Sequence, residues 1–172
     1  MKLIFINGLG GTGKTAVVNY FKKNPLKGWL FFDFDQGKYP IPNEKIAIKE
    51  WRKKQHIWFL EECLRIQSID IINICIMGVS LFPWDVRVLE EKGEIINKNI
   101  SQYAYLYCNP EIRKQRLEDR GDAHLFEGDL GKYKVVVEKF DNEGAESFDT
   151  SYKSVAQVAE EIGAWLKSLE SV

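Results

Sequence analysis

The chain has 172 residues, the length of one domain able to bury about 70% of its unfolded surface. Lys and Arg number 24 against 25 Asp and Glu, a net charge of −1, so no basic excess points to nucleic acid and no acidic tail to a solvating role. At 45% hydrophobic and 28% charged, the composition excludes collagen, coiled coil and wholesale disorder. Leu3-Ile4-Phe5-Ile6 reads as a buried strand, followed by a glycine-rich turn and then Ala16, Val17, Tyr20 and Phe21 at helical spacing. Asn24-Pro25 and Gly28 break that helix. Trp29 to Phe32 is a second strand, running into Asp33-Phe34-Asp35, and Gly37, Pro40 and Pro42 mark a loop. Glu44 to Gln67 reads as a long helix, Ile69 to Met77 as a third strand ending at Gly78, and Pro83 opens a short helix through Glu91. Tyr103 to Cys108 is a fourth strand, and Asn109-Pro110 caps and starts a helix to Arg120. Gly121 to Gly131 is polar and glycine-bearing, with Tyr133, Val136, Val137 and Phe140 on one helical face beyond it. Ala145 to Phe148 reads as a short fifth strand, and Ser154 with Gln157 is a capping-box pattern opening a last amphipathic helix. Strands alternating with helices predict an α/β fold with a parallel sheet covered on both faces.

Cys63, Cys75 and Cys108 are odd in number and far apart, no C-x-x-C occurs, and His56 and His124 are the only histidines. That pattern argues against a zinc site and for a reducing compartment. Leu3 to Ile6 is too short for a signal-peptide core, and Ile71 to Phe82, interrupted by Asn73, falls short of a membrane span. The expectation is a cytoplasmic protein with no membrane or nucleic-acid partner.

The strongest motif is Gly8-Leu9-Gly10-Gly11-Thr12-Gly13-Lys14-Thr15, which satisfies G-x-x-x-x-G-K-[ST] at every fixed position and lies between a strand and a helix. Glycines let backbone N–H groups turn inward around phosphate, and the helix N-terminus adds partial positive charge. Gly8, Gly10, Gly11, Thr12 and Gly13 are therefore candidate phosphate-binding positions. Lys14 is placed to reach the β- and γ-phosphates, and the Thr15 hydroxyl to ligate Mg²⁺. ATP and Mg²⁺ are the implied cofactors.

On this loop, on Asp33-Phe34-Asp35, on Gly78, and on Tyr105 to Glu111 leading into Arg116-x-x-x-Arg120, the chain resembles the small P-loop kinases, the group of adenylate, gluconate and shikimate kinases. The resemblance covers nearly the whole chain. It implies a three-layer P-loop domain over 1–172 with five parallel strands in the order 2-3-1-4-5. It further implies an ATP- and Mg²⁺-dependent phosphotransferase acting on a small nucleotide or hydroxyl-bearing metabolite. In shikimate-kinase-like members an Asp-x-Asp at the place of Asp33 and Asp35 serves both metal and acceptor. In adenylate-kinase-like members the first Arg of R-x-x-x-R stacks on adenine and the second contacts phosphate, which carries to Arg116 and Arg120.

The residues leave alternatives beside that picture. If the second strand stays extended, Asp33 and Asp35 face the same side at its carboxyl end, where ligands bind in open α/β sheets; otherwise they are loop aspartates making local turns. The third strand, Ile74-Cys75-Ile76-Met77-Gly78, carries no Walker B acid. That favours a second reading, a nucleotide-binding regulatory module or weak NTPase acting through a protein partner. Arg113 shares a stripe with Arg116 and Arg120 and reads as a solvent-facing member. Arg52 and His56, an i, i+4 pair, and Gly78 are candidates for the acceptor side, with Arg52 suited to an anionic acceptor. Gly121 to Gly131 is the candidate lid, since phosphoryl transfer requires water to be excluded.

Overall fold

The computed structural model describes residues 2–42, 47–69, 72–94 and 100–170. Leu3–Asn7 forms β1, Lys14–Lys23 α1, and Trp29–Asp33 β2. A 3₁₀ turn follows at Phe34–Gln36, then α2 at Ile48–Ile69, β3 at Asn73–Gly78 and α3 at Pro83–Glu91. Ile100–Tyr107 is β4, Pro110–Asp119 α4, Ala123–Asn142 α5, Glu146–Asp149 β5 and Val155–Leu169 α6. The strands make one five-stranded sheet in the order β2-β3-β1-β4-β5. β1 with β3, β2 with β3 and β4 with β5 all run parallel. This is the α/β P-loop architecture expected. β1 is buried along its whole length and β3 from Ile74 onward, as unbroken apolar runs predict.

The chain forms two compact units, Met1–Asn7 with Lys27–Tyr103, and Gly8–Leu26 with Ala104–Val172. In the first, α2 lays Trp51, Phe59, Leu60 and Cys63 against Leu3, Phe5, Ile74 and Ile76 of the sheet. In the second, α1 packs on α6, and Val17, Val18, Phe21, Val158, Ile162 and Leu166 are all buried. Gly163 of α6 leaves room for Phe21 and Leu26, whose atoms lie 3.9 Å from where its Cβ would be. The predicted capping box is present: the Ser154 hydroxyl accepts from the Gln157 N–H, and the Gln157 side chain accepts from the Ser154 N–H.

Several boundaries differ from the sequence expectation, β4 beginning at Ile100, three residues before the expected Tyr103, and β5 shifted by one residue to Glu146–Asp149. Ile69 ends α2 instead of opening β3; the start of the long helix at Glu44 and the residues 70–71 lie outside the described residues. β2 does not run on through Asp35, because the chain turns into the 3₁₀ segment at Phe34. Gly121 to Gly131 is not a loop, since α5 begins at Ala123. Gly121, at φ 75°, closes α4 in a Schellman turn, its N–H donating to Glu118 O and that of Asp122 to Leu117 O. The helical spacing of Tyr133 and Phe140 thus extends one element backwards instead of starting it.

Candidate phosphate-binding loop and acceptor face

The loop after β1 depends on backbone that only glycine adopts readily. Gly11 and Gly13 have φ of 83° and 91°, in the left-handed region that other L-residues rarely enter. A Cβ on Gly8 would stand 2.6 Å from the Thr12 hydroxyl, and one on Gly11 would press on Leu117 and Arg113 at 3.0 and 3.1 Å. Three donors converge on one carbonyl, Leu9 O: the Thr12 N–H at 3.3 Å, the Thr12 hydroxyl at 2.9 Å and the Lys14 ammonium at 2.8 Å. Lys14 is buried and Thr15 exposed. Gly13 is the N-cap of α1 and offers no side-chain acceptor to its first N–H groups, and no acid stands in the first turn. Neither a cap side chain nor a first-turn acid therefore compensates the positive end of α1, which suits an anion. Gly10 has space around it, the nearest atom to its would-be Cβ being Leu125 Cδ1 at 3.4 Å.

Arg113 overturns its expected solvent-facing placement. It is fully buried, its Nε donates to Gly10 O at 2.6 Å, and its guanidinium lies 5.4 Å from the Phe126 ring centre and 5.0 Å from that of Tyr133. Tyr133 is fixed in turn, its hydroxyl donating to Cys108 O at 2.6 Å and accepting from Cys108 N–H. Arg113 thus ties α4 to the loop from beneath. The missed signal was the i, i+4 pair Arg113 and Leu117, the two buried positions of α4.

Arg116 is engaged by the segment after β5. Its terminal nitrogens donate to the Thr150 hydroxyl at 3.1 Å, Thr150 O at 2.7 Å and Ser151 O at 3.3 Å. Thr150 and Ser151 are themselves held, by Tyr107 O and by the Asp149 carboxylate. Bonds of this kind hold a guanidinium plane in place. Arg120 caps the exposed end of α4 and pairs with Asp122 at 2.8 Å.

In the other unit, Asp33 is buried at the end of β2 and Asp35 is exposed in the 3₁₀ turn. The Asp33 carboxylate caps that turn, accepting from Asp35 N–H at 3.0 Å. The two carboxylates therefore do not share one face of an extended strand, which corrects the i, i+2 geometry. The cause is Phe34, drawn under Gly78 so closely that a Cβ there would meet Phe34 Cβ at 2.1 Å. The Phe34 ring also packs on Trp51 and Phe59, and its carbonyl accepts from Gln55 of α2. In the sheet, Asp33 pairs with Met77. The acid missing from the tip of β3 is therefore present at the same level on the neighbouring strand. No cluster of three acids, histidines or cysteines able to hold a metal occurs among the described residues, so a metal here would rest on few protein ligands, as Mg²⁺ accepts when phosphate and water supply the rest.

Arg52 is half-buried on α2, one turn before His56. A groove of about 610 Å³ between α2 and α3 is lined by Lys49, Lys53, Asp85 and the apolar Leu81, Val88 and Leu89. The cysteines are small core residues, as expected. Burial pushes the Cys63 thiol up to about 12 and raises Cys75 and Cys108 as well, so none offers a thiolate at neutral pH. No described helix is long and apolar enough to cross a membrane.

No protein-family model matches the chain. Shikimate kinases of Bacillus mycoides and Bacillus cereus are each 26% identical over 170 residues, covering 94% of this chain and 96% of theirs. Among solved structures, shikimate kinase from Acinetobacter baumannii in complex with shikimate superposes with a TM-score of 0.62 at 20% identity, over 98% of this chain and 94% of that one. The chain has the fold of the small P-loop kinases. A gluconokinase from Sinorhizobium meliloti shares this kinase fold at TM-score 0.58 and 16% identity, over 98% and 92% of the two chains. The sequence relatives support a small-molecule kinase.

Proposed function

We propose that the protein is an ATP- and Mg²⁺-dependent kinase that phosphorylates a hydroxyl of a small metabolite in the cytoplasm. The observation that carries this is the loop at Gly8 to Thr15, whose left-handed glycines and uncapped α1 terminus leave an anion site with Lys14 beside it. The whole-length likeness to shikimate kinases supports transfer to a small molecule over simple nucleotide binding. In this reading the loop N–H groups and Lys14 hold the β- and γ-phosphates, and Thr15 and Asp33 serve the metal, Asp33 through its water shell. Mg²⁺ when bound neutralises charge on the β- and γ-oxygens. Asp35 takes the proton of the acceptor hydroxyl as its oxygen bonds to the γ-phosphorus and the bond to ADP oxygen breaks. Arg116, held by the 150–151 segment, provides the stacking face for the base; Arg120 exchanges Asp122 for phosphate. Arg52 and Gly78 line the acceptor side, and the turn at Gly121 with the first turns of α5 acts as the lid of one 1–172 kinase unit.

Calorimetry with Mg-ATP tests the nucleotide site. Lys14→Ala should weaken binding by about 10- to 100-fold, the worth of a charged hydrogen bond, with thermal stability little changed. Equal affinity in both proteins would remove the phosphate-binding assignment. The second reading, a nucleotide-binding module acting through a protein partner, is favoured by the apolar, buried Met77 where a Walker B acid would stand. It predicts ATP binding without acceptor-dependent ADP formation.

A further inference from the structure

Gly11, in the middle of the phosphate loop, is buried, and its N–H has no acceptor among the described residues. Buried N–H groups are paired in the great majority of cases, so this one is left for an acceptor from outside the chain. Its direction is fixed by the peptide it belongs to. The described peptides are all trans, and a trans peptide is planar, with the carbonyl of one residue opposite the N–H of the next. The carbonyl of this peptide is Gly10 O, which accepts from the Arg113 Nε–H at 2.6 Å. The Gly11 N–H therefore points away from Arg113. The side it turns from is full, since a Cβ on Gly11 would meet the Leu117 and Arg113 side chains at 3.0 and 3.1 Å. The side it faces is the one left for phosphate.

What holds Arg113 in place comes from α5. The guanidinium lies against two rings of that helix, 5.4 Å from the centre of Phe126 and 5.0 Å from that of Tyr133. The two rings are anchored differently. Tyr133 is buried, and its hydroxyl is bonded to both backbone groups of Cys108, directly after β4. Phe126 is half-buried in the first turn of α5. Its neighbour Leu125 is an exposed apolar residue whose Cδ1 stands 3.4 Å from the would-be Cβ of Gly10. The first turn of α5 thus reaches the loop twice, directly through Leu125 on Gly10 and indirectly through Phe126 on the guanidinium. A long arginine side chain regains rotamers when a face of its enclosure is removed, and a cation over a ring is held more strongly where water is excluded.

We propose that Arg113 and Phe126 are positioning residues for phosphate: Phe126 holds the guanidinium, the guanidinium holds Gly10 O, and the peptide presents the Gly11 N–H. The first turn of α5 is thereby coupled to the phosphate loop, and by linkage a phosphate in the loop steadies that turn in return. This rests on the phosphate-binding reading of the loop above and adds to it a relay in which neither side chain touches the ligand.

Calorimetry with Mg-ATP and with inorganic tripolyphosphate tests the relay on the wild type, Phe126→Leu, Phe126→Tyr, and Phe126→Leu in the Arg113→Met background. Phe126→Leu keeps apolar bulk and removes the ring face, whereas Phe126→Tyr keeps the face. Phe126→Leu should weaken both probes by about five- to tenfold, the weight of a desolvated contact between cation and ring. Phe126→Tyr should stay within about twofold of the wild type, and Phe126→Leu should add no further loss to Arg113→Met, as expected of residues that act through one another. Equal tripolyphosphate affinity in the wild type and Phe126→Leu overturns the relay and keeps the loop. So does an equal loss in Phe126→Leu and Phe126→Tyr, which marks plain packing, or a loss confined to Mg-ATP, which marks a contact with the base. A full further loss in the Arg113→Met background overturns it as well. Binding of neither probe by the wild type removes the loop reading and the relay together. Should Arg113→Met fail to fold, the two substitutions at the half-buried Phe126 decide the matter by themselves.

Discussion

His56 makes the stability of the fold depend on pH in a definite direction. Its folded pKa of about 3 lies below the ordinary 6.5 because burial penalises the imidazolium. Between those two values the unfolded chain binds the proton and the folded one does not, so acid favours unfolding. The stabilisation is complete above about pH 6.5 and falls by about 1.4 kcal/mol per pH unit below it. At pH 5 the folded state should have lost about 2 kcal/mol relative to pH 8 from this residue alone. Urea unfolding at the two pH values, compared with His56→Phe, isolates the effect: the variant keeps an aromatic ring over Phe5 and should lose that part of the slope. An identical pH dependence in both proteins would return the loss to other groups. Arg113 offers a second single-residue test. Arg113→Met keeps much of the volume but deletes the bond to Gly10 O and the stacking on Phe126 and Tyr133, and should cost about 2–3 kcal/mol by urea unfolding. It should weaken Mg-ATP binding too, because the loop loses its brace. Unchanged stability would mean that the guanidinium is not needed there.

Among the elements, the strands and the glycine-rich turn after β1 were legible because their signals are local: unbroken apolar runs, and glycines whose φ is dictated by the turn they make. The corrections come from tertiary packing. Asp33-Phe34-Asp35 alternates like a strand, yet burying Phe34 under Gly78 and against Trp51 outweighs continued extension and coils the chain there. Arg113 sits in a charged run, yet carbonyl and ring partners from other elements take it inside. The Gly11 N–H could not be read as unpaired, since a missing partner is a property of the folded loop and not of spacing. The turn between α4 and α5 belongs with these elements. Its Schellman closure leaves Gly121 in the left-handed region, with Leu125 and Phe126 in the first turns of α5 that follow. Hydrogen exchange with and without a bisubstrate mimic should show protection gained across 116–131 on binding. Unchanged exchange there, with protection elsewhere in the site, would remove the lid.

For the molecule as a whole, the alternation of strands and helices pointed to a parallel α/β sheet, and the order 2-3-1-4-5 came with the family resemblance, not from any spacing in the sequence. That order puts β1 in the middle of the sheet, so the phosphate loop leaves from its centre, in the crevice region where open α/β sheets bind ligands. Net charge near zero is consistent with a small, soluble substrate in place of a polyanion. The catalytic claim is tested most directly by acceptor-dependent ADP formation from Mg-ATP over a panel of sugar acids, polyols, nucleosides and nucleoside monophosphates, run on the wild type, Asp33→Asn and Asp35→Asn. The account predicts turnover with at least one hydroxyl-bearing acceptor, lowered about 100-fold or more in Asp35→Asn, the usual weight of a general base, and lowered in Asp33→Asn as well, while both variants retain most of their ATP affinity. ADP formation that no acceptor stimulates, or full turnover in both variants, would contradict it.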